Sequence, residues 1–289
     1  MSNTEIHKRS VQAHHGEVAV RLQGDPRDPV VVMTHSILSS AGMWDEQAAL
    51  LAVQGWCVVR IDTTGHGDSP APAAGAVTMD GLAADTVAVL DVLGIPRAHY
   101  IGLSLGGMSG FGLGIHHGNR FLSLVLCDAR ADAPPAVAVP WDERIATAQQ
   151  HETCEPLAMP AIERWFGKPF AAANPGLTQR FQKIAAATSV KGFVGCARAI
   201  QGLNYLEGVG DIALPVTLLV GSNDGVLPQA MCDLQQRIAG SVLETIPGAG
   251  HLPNIDQPTA FNAALLRHFE RVRNPSHFHS LRRPSCIHT

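Results

Sequence analysis

Short, continuous apolar segments alternate with helix-compatible stretches along most of the chain. A strand that is apolar on both sides has to be covered on both faces, which a parallel sheet flanked by helices provides. The pattern therefore predicts an α/β domain with a mostly parallel central sheet and helices on both faces. The expected strands are residues 30–33, 56–61, 99–102, 122–127, 216–220 and 242–246, and the expected helices are residues 43–53, 79–93, 105–117, 229–238 and 259–271.

Two segments depart from this alternation. Residues 18–22 alternate between apolar and polar side chains, which predicts an antiparallel strand at the edge of the sheet. Residues 134–208 are rich in alanine and show helical pieces without a clear strand, so we expect an inserted helical lid. The resulting division assigns residues 1–133 and 209–272 to the core and residues 134–208 to the lid, and leaves residues 273–289 as a polar tail that is expected to be disordered.

The composition favours a globular protein with a large core. Hydrophobic residues make up 46% of the 289 residues and charged residues only 16%, so disorder over most of the chain is excluded. The formal net charge of -4 does not favour binding to nucleic acid or to an anionic membrane. No apolar run is long enough to span a membrane and the N-terminus is polar, so we expect a cytoplasmic protein. The sequence leaves a monomer and a homo-oligomer both open.

A serine lies at the point where one predicted strand passes into a helix. The segment Gly102-Leu103-Ser104-Leu105-Gly106 has the pattern G-x-S-x-G. Taken alone the pattern is weak, because a glycine-rich turn without chemistry also produces it. Its position between strand and helix is typical of the nucleophile turn of α/β-hydrolases, in which small neighbours let the backbone bend sharply and expose the hydroxyl. We therefore predict that Ser104 is a catalytic nucleophile.

A serine hydroxyl needs a neighbouring base that takes its proton. Among the 14 histidines, His251 is favoured because it lies in the loop after the last predicted strand, at the same edge of the sheet as Ser104. The third group should be a carboxylate that orients the imidazole. Asp224 follows the preceding strand and completes the order Ser, Asp, His that is usual for this fold. Asp128, which follows another parallel strand, is a rival for the same role.

The tetrahedral intermediate of such a reaction needs hydrogen-bond donors for its oxyanion. In this fold one donor is the backbone N–H after the nucleophile, and the other lies in the loop after an early strand. By position, the backbone N–H groups of Leu105 and Ile37 are predicted to form this oxyanion site. His35 and Ser36 precede Ile37 and are expected to fix the loop.

Further segments carry a pattern that is more specific than the serine turn. They include parts of the helical insertion, which is the region that varies most within this fold. Together they make the sequence similar to the 3-oxoadipate enol-lactonases (β-ketoadipate enol-lactone hydrolases), from about residue 16 to residue 270. The sequence departs from that family at Thr64, where an arginine is usual. The matching segments are residues 35–36, 43–45, 102–108, 124–128, 141–145, 163–166, 192–196, 249–254 and 257–262.

This resemblance implies the α/β-hydrolase fold and a cofactor-free Ser-His-Asp hydrolase. It also implies a small anionic lactone as substrate, opened to 3-oxoadipate during the breakdown of aromatic compounds. The carboxylate of that substrate needs a cation, and Arg144 is the candidate because a guanidinium binds a carboxylate through two hydrogen bonds. Trp141, three residues earlier on the predicted helix, shares the same face. A solvated arginine over a core tryptophan would show the same spacing.

Several other functions use the same fold and stay open. A general carboxylesterase or a C–C bond hydrolase would use the same triad with a different lid pocket. A ligand-sensing receptor would retain a slow triad, and a cofactor-free oxygenase or perhydrolase would share only the fold. A metal site is not expected, because the chain lacks H-E-x-x-H and its histidine pairs lack supporting ligands.

Overall fold

The structure is a computed structural model that describes residues 5–73 and 76–273. The strands are β1 (Ile6–Ala13), β2 (Gly16–Gln23), β3 (Val30–Thr34), β4 (Cys57–Ile61), β5 (Ala98–Leu103), β6 (Phe121–Cys127), β7 (Val216–Gly221) and β8 (Val242–Ile246). They form one sheet in the order β1-β2-β4-β3-β5-β6-β7-β8. All pairs from β4 to β8 are parallel, so the predicted mostly parallel sheet is confirmed. The residues of the predicted tail that follow Arg273 lie outside the described residues.

The helices of the core cover both faces of this sheet. They are α1 (Asp45–Val53), α2 (Met79–Val92), α3 (Leu105–His116), α10 (Leu227–Arg237), α11 (Pro253–Asp256) and α12 (Pro258–Arg273). Adjacent side chains of a strand point to opposite faces. On β5, Tyr100 faces α3, where a Cβ on Gly110 would lie 2.7 Å from the Tyr100 ring. The neighbouring His99 faces α12, and the centres of the His99 and Phe269 rings are 5.6 Å apart. No helix in the described ranges is long and apolar enough to cross a membrane.

The amino-terminal edge of the sheet differs from the expectation. Residues 18–22 belong to β2, which is antiparallel to β4 as predicted, but β1 pairs along its other side and forms the edge. The prediction that residues 18–22 form the edge is therefore wrong. Within β1 only Val11 is buried, so this strand has no run of alternating apolar residues by which to recognise it. An edge strand whose side chains are nearly all exposed does not need one, and charged side chains there discourage pairing with other chains.

The segment between β6 and β7 contains six α-helices and no strand of the sheet. It holds α4 (Pro135–Ala138), α5 (Pro140–His151), α6 (Glu155–Phe166), α7 (Lys168–Ala173), α8 (Pro175–Ala187) and α9 (Val190–Gln201). The chain leaves and rejoins the core at one point, where the Ala133 N–H donates to the Leu203 carbonyl at 3.0 Å and the Tyr205 N–H donates to the Ala131 carbonyl at 2.7 Å. The entry and exit of this segment therefore lie side by side, and the division into a core and a lid over residues 134–208 stays a prediction. The sequence pattern does not predict the short helices α4 and α7.

Two histidines are buried near the amino ends of the parallel strands. His99 Nδ1 lies 2.7 Å from Ser123 Oγ, and the same hydroxyl lies 2.8 Å from His268 Nε2. His268 Nδ1 in turn lies 2.7 Å from Thr217 Oγ1. Burial lowers the pKa of His99 to about 4 and the pKa of His268 well below its usual value. Both rings are therefore neutral at pH 7.

We expect acid to destabilise the fold through these two histidines. The unfolded chain binds a proton at each ring below about pH 6.5, whereas the folded chain does not. The free energy of unfolding should therefore fall by up to about 1.4 kcal/mol per pH unit for each ring as the pH drops from about 6.5 towards the lowered pKa values. Urea unfolding at several pH values measures this slope. His268→Gln should reduce it and the exposed His7→Gln should not; an unchanged slope in His268→Gln would contradict the explanation.

Candidate active site

Ser104 lies at a sharp turn between β5 and α3. Its backbone has φ 55° and ψ -112°, a strained conformation for a residue with a side chain. Small neighbours make the turn possible. A Cβ on Gly102 would lie 2.8 Å from the Gly107 nitrogen, and a Cβ on Gly106 would lie 2.6 Å from the Thr34 carbonyl oxygen. The glycines of the motif therefore let helix and strands approach closely and present the Ser104 hydroxyl at the carboxyl edge of the sheet.

Hydrogen bonds fix this turn to the loop that follows β3. The Gly106 N–H donates to the His35 carbonyl at 3.2 Å. The His35 ring accepts a hydrogen bond from the Thr63 N–H at Nε2 (2.9 Å) and donates from Nδ1 to the Ser36 carbonyl (2.8 Å). Burial lowers the pKa of His35, which keeps the ring neutral in this arrangement. The ring therefore holds in place the loop that carries Ile37.

His251 and Asp224 lie beside the Ser104 hydroxyl. His251 Nε2 is 2.9 Å from Ser104 Oγ, and His251 Nδ1 is 2.6 Å from Asp224 Oδ2. All three side chains are buried. They follow the carboxyl ends of β5, β7 and β8, which meet at one edge because the strands are parallel. This is the geometry of a Ser-His-Asp group, in which the ring takes the serine proton while the carboxylate holds its other nitrogen.

The charges in this group suit proton transfer at neutral pH. Burial lowers the pKa of His251, although the Asp224 carboxylate opposes the shift. Burial also disfavours the ionised form of Asp224, but the His251 ring and Arg164 outweigh it and lower the pKa of Asp224. Arg164 Nη1 lies 3.8 Å from Asp224 Oδ1. Asp224 is therefore ionised and His251 is a neutral base at pH 7.

Asp128, the alternative acid, occupies a different place. It follows β6 directly and has a φ of 45°. Its Oδ1 accepts a hydrogen bond of 2.8 Å from the Gly221 N–H at the end of β7. The rest of the carboxyl is buried beside Asp224, with which it shares a hydrogen bond. The structure thus places Asp224, and not Asp128, in a hydrogen bond with His251.

Asp128, Asp224 and His251 form a group whose spacing would allow a metal ion to bind. One oxygen each of Asp128 and Asp224 and one ring nitrogen of His251 lie within 4.8 Å of one another. His251 Nδ1 and Asp224 Oδ2 are, however, engaged with each other. Burial raises the pKa of Asp128 well above its usual value, so this carboxyl is protonated, whereas metal ligands are deprotonated. The arrangement suits a hydrogen-bonded catalytic group better than a cation site.

The helical insertion holds the loop that carries His251. The His251 N–H donates to the Trp165 carbonyl, near the end of α6, at 2.7 Å. The preceding Gly250 donates its N–H to Asp256 Oδ2 at 2.6 Å, and a side chain on Gly250 would collide with the Trp165 carbonyl. Helix α6 therefore contributes to the position of the base and, through Arg164, to the surroundings of the acid.

A cavity of about 600 Å³ opens beside the Ser104 hydroxyl. Its walls come from the carboxyl edge of the sheet and from α4, α5 and α6, together with the end of α9. Much of the lining is apolar, including Leu38, Met108, Val137, Leu157, Ile200 and Leu227. Three cations, Arg130, Arg144 and Arg164, also line it. Arg130 is already neutralised, because its Nη2 lies 2.9 Å from Asp132 Oδ1.

Arg144 and Trp141 both line this cavity, as their shared helix face predicts. The Arg144 guanidinium carbon lies 4.7 Å from the centre of the Trp141 ring. No carboxylate within the described ranges forms an ion pair with Arg144. Burial, followed by the charge of Arg164, lowers the pKa of Arg144. Arg144 and Arg164 thus face the cavity as a positive wall that an anion would neutralise.

The assignment of Ile37 and Leu105 as oxyanion donors stays a prediction, and the structure places both residues next to the Ser104 turn. Ile37 lines the cavity with Ser104. Leu105 is the first residue of α3, and N–H groups in the first turn of a helix have no partner within that helix. The positive end of the helix dipole also lies at this point. Negative charge that develops beside Ser104 would therefore be favoured there.

Sequence reasoning misses the roles of Arg164 and Trp165. Trp165 packs against Phe181 with ring centroids 5.9 Å apart, as expected of a core residue. Its backbone carbonyl nevertheless binds the His251 loop, and Arg164 beside it reaches both the cavity and Asp224. Both lie in a segment that carries the family pattern, but neither contact could be inferred from it. They depend on where α6 lies over the sheet.

Known proteins share this fold and much of this sequence. A family profile for the alpha/beta hydrolase fold matches residues 29–258. The chain is 31% identical to a 3-oxoadipate enol-lactonase of Acinetobacter baylyi, over 84% of this chain and 89% of that relative. It is 26% identical to RutD of Variovorax paradoxus, whose name proposes carbamate hydrolysis, over 88% of this chain and 96% of that relative. The crystal structure of the enol-lactonase from Burkholderia xenovorans has a TM-score of 0.83 and 27% identity, covering 91% of this chain and 100% of that chain.

We expect Gly106→Ala to disrupt the turn at Ser104. The added methyl would collide with the backbone of Thr34, so activity should fall and the free energy of unfolding should drop by about 1–3 kcal/mol, as for other overpacked sites. Gly176→Ala is the matched control, because nothing lies within 4 Å of its added Cβ. It should be neutral or stabilise by up to about 1 kcal/mol. Urea unfolding and ester hydrolysis measure both variants; wild-type activity in Gly106→Ala would contradict the packing explanation.

Proposed function

The chain belongs to the 3-oxoadipate enol-lactonase family of α/β-hydrolases, and we propose that it opens a small anionic lactone, with 3-oxoadipate enol-lactone as the best candidate. The product would be 3-oxoadipate, formed during the breakdown of aromatic compounds. One observation carries the proposal: the hydrogen-bonded group of Ser104, His251 and Asp224 opens into a cavity lined by the cations Arg144 and Arg164. The serine group supports hydrolysis, and the positive wall supports an anionic substrate.

The reaction begins with attack of Ser104 Oγ on the ring carbonyl. His251 Nε2 takes the serine proton as the bond forms, since its lowered pKa leaves it neutral and ready to accept. Asp224 stabilises the resulting imidazolium through Nδ1. The carbonyl oxygen becomes an oxyanion, which the backbone N–H groups of Ile37 and Leu105 stabilise. In other serine hydrolases, loss of one such donor costs about 2.7–4 kcal/mol of transition-state stabilisation.

Collapse of the intermediate breaks the ring C–O bond. The leaving oxygen is that of an enol and receives the proton from His251. Because the ring is cleaved within one molecule, the enol stays attached to the acyl group on Ser104. Its conversion to the ketone makes the step effectively irreversible. Water, activated by His251, then releases the acyl group as a carboxylate and restores Ser104.

The substrate carboxylate is placed against Arg144. Its guanidinium is held over the Trp141 ring and partly buried, so little of its freedom remains to be lost on binding. Arg164 adds a second positive charge on the same wall. A carboxylate bound there would be held beside the nucleophile in a largely apolar cavity, where charge-assisted hydrogen bonds are strong.

Loss of 3-oxoadipate enol-lactone in the presence of purified full-length protein tests this function, with Ser104→Ala measured alongside. We expect rapid turnover that falls by more than about 10³-fold in the variant, as for other serine triads. If only a p-nitrophenyl ester is cleaved, and only by wild type, the serine mechanism stands and the substrate is that of a general carboxylesterase. If neither compound is cleaved, the hydrolytic function itself is wrong.

Arg144→Ala should weaken binding of an anionic substrate selectively. Loss of a charged hydrogen-bond pair is worth about 1.5–3 kcal/mol, so the KM for the anionic lactone should rise by about 10- to 150-fold. The KM for a neutral ester should change by less than about threefold, because its binding uses apolar walls. Arg198→Ala is the control with the same change in net charge, since Arg198 pairs with Asp142 and does not line the cavity. An unchanged KM for the anionic lactone in Arg144→Ala would exclude Arg144 as the carboxylate site.

A further inference from the structure

A second buried carboxyl lies behind the catalytic group. Asp128 is fully buried, and one of its oxygens lies within 4.8 Å of both an Asp224 oxygen and a His251 ring nitrogen. Its Oδ1 accepts from the Gly221 N–H, and the protonated Asp128 carboxyl shares a hydrogen bond with the Asp224 carboxylate.

Of these two carboxyls, one is protonated and the other is ionised. Two acids this close are not both ionised. Burial and then the charge of Asp224 raise the pKa of Asp128 well above its usual value, so Asp128 is the protonated one. Asp224, which pairs with His251 and lies near Arg164, is the ionised one. The charge of Asp224 is thus one of the reasons why Asp128 is neutral.

We propose that Asp128 is a positioning residue and a reserve acid for His251. In the native enzyme it braces the end of β7, and so the Asp224 loop, through Gly221. When Asp224 is lost, Asp128 replaces it at the His251 ring. This inference rests on the catalytic group of the proposed function.

The replacement follows from charge and distance. Removing the Asp224 carboxylate removes the second cause of the raised pKa of Asp128. Burial, the larger cause, remains, so ionisation of Asp128 depends on its pairing with the His251 ring once that ring takes a proton. The same change vacates space beside the His251 ring. The separation of at most 4.8 Å then has to shrink by about 2 Å to reach hydrogen-bond length, which a rotation of the side chain and a small loop shift can supply.

A double-mutant cycle tests the proposal on a p-nitrophenyl ester, which does not depend on the lactone assignment. The proteins are wild type, Asp128→Asn, Asp224→Ala and the double variant. Asparagine keeps the size of Asp128 and its acceptor for Gly221 but cannot ionise. We expect Asp128→Asn alone to lower kcat/KM by less than about tenfold. Asp224→Ala should stay at least about tenfold above the double variant, which should fall about 10⁴-fold below wild type, as triads without an acid do.

The pH profile provides a readout that a merely structural role would not move. A carboxylate beside an imidazole raises its pKa. The midpoint of kcat/KM against pH should therefore lie higher in Asp224→Ala than in the double variant. Equal activities together with equal midpoints in these two proteins would overturn the proposal, and Asp224→Ser provides a second background if Asp224→Ala does not fold. Failure of the proposed function is distinguished separately, because Ser104→Ala would then be as active as wild type.

Discussion

The close approach of the α3 turn to the end of β3 is the constraint on which the rest of the site depends. Any side chain on Gly106 would occupy the space of the Thr34 backbone. Because Gly106 has no side chain, Ser104 can adopt its positive φ and stand at the carboxyl edge of the sheet, with the first turn of α3 beside the Ile37 loop. The acid and base loops meet in the same way, since a side chain on Gly221 would collide with the Gly250 carbonyl. Backbone contacts thus fix the relative positions of nucleophile, base and acid.

Helix α6 helps to position the catalytic group and also covers the cavity. Its Trp165 carbonyl holds the backbone of His251, and its Arg164 guanidinium lies between Asp224 and the cavity. The Arg164 charge, which together with the His251 ring lowers the pKa of Asp224, therefore also faces the cavity. One end of α6 thus contacts both the catalytic group and the cavity, while α4 and α5 supply a further part of the wall with Trp141 and Arg144.

The parts of this structure that depend on local patterns could be predicted from the sequence. Buried parallel strands are continuously apolar, and the place of Ser104 between strand and helix indicated the turn that the structure contains. The edge strand β1 could not be predicted, because a strand whose side chains are nearly all exposed has no apolar pattern. Asp128 and Asp224 both follow parallel strands, so only the three-dimensional arrangement decides which one meets His251. Arg164 was missed for a similar reason, since its role depends on how α6 crosses the sheet.

Covalent labelling of the nucleophile tests the central claim most directly. A fluorophosphonate reacts with a serine that a neighbouring base activates, and mass spectrometry of the digested protein locates the adduct. We expect one adduct per chain, on the peptide that contains Ser104, and labelling at least about 10²-fold slower in His251→Ala, as for the loss of a general base. An adduct on another serine, or equal labelling rates in wild type and His251→Ala, would contradict the assignment of this site.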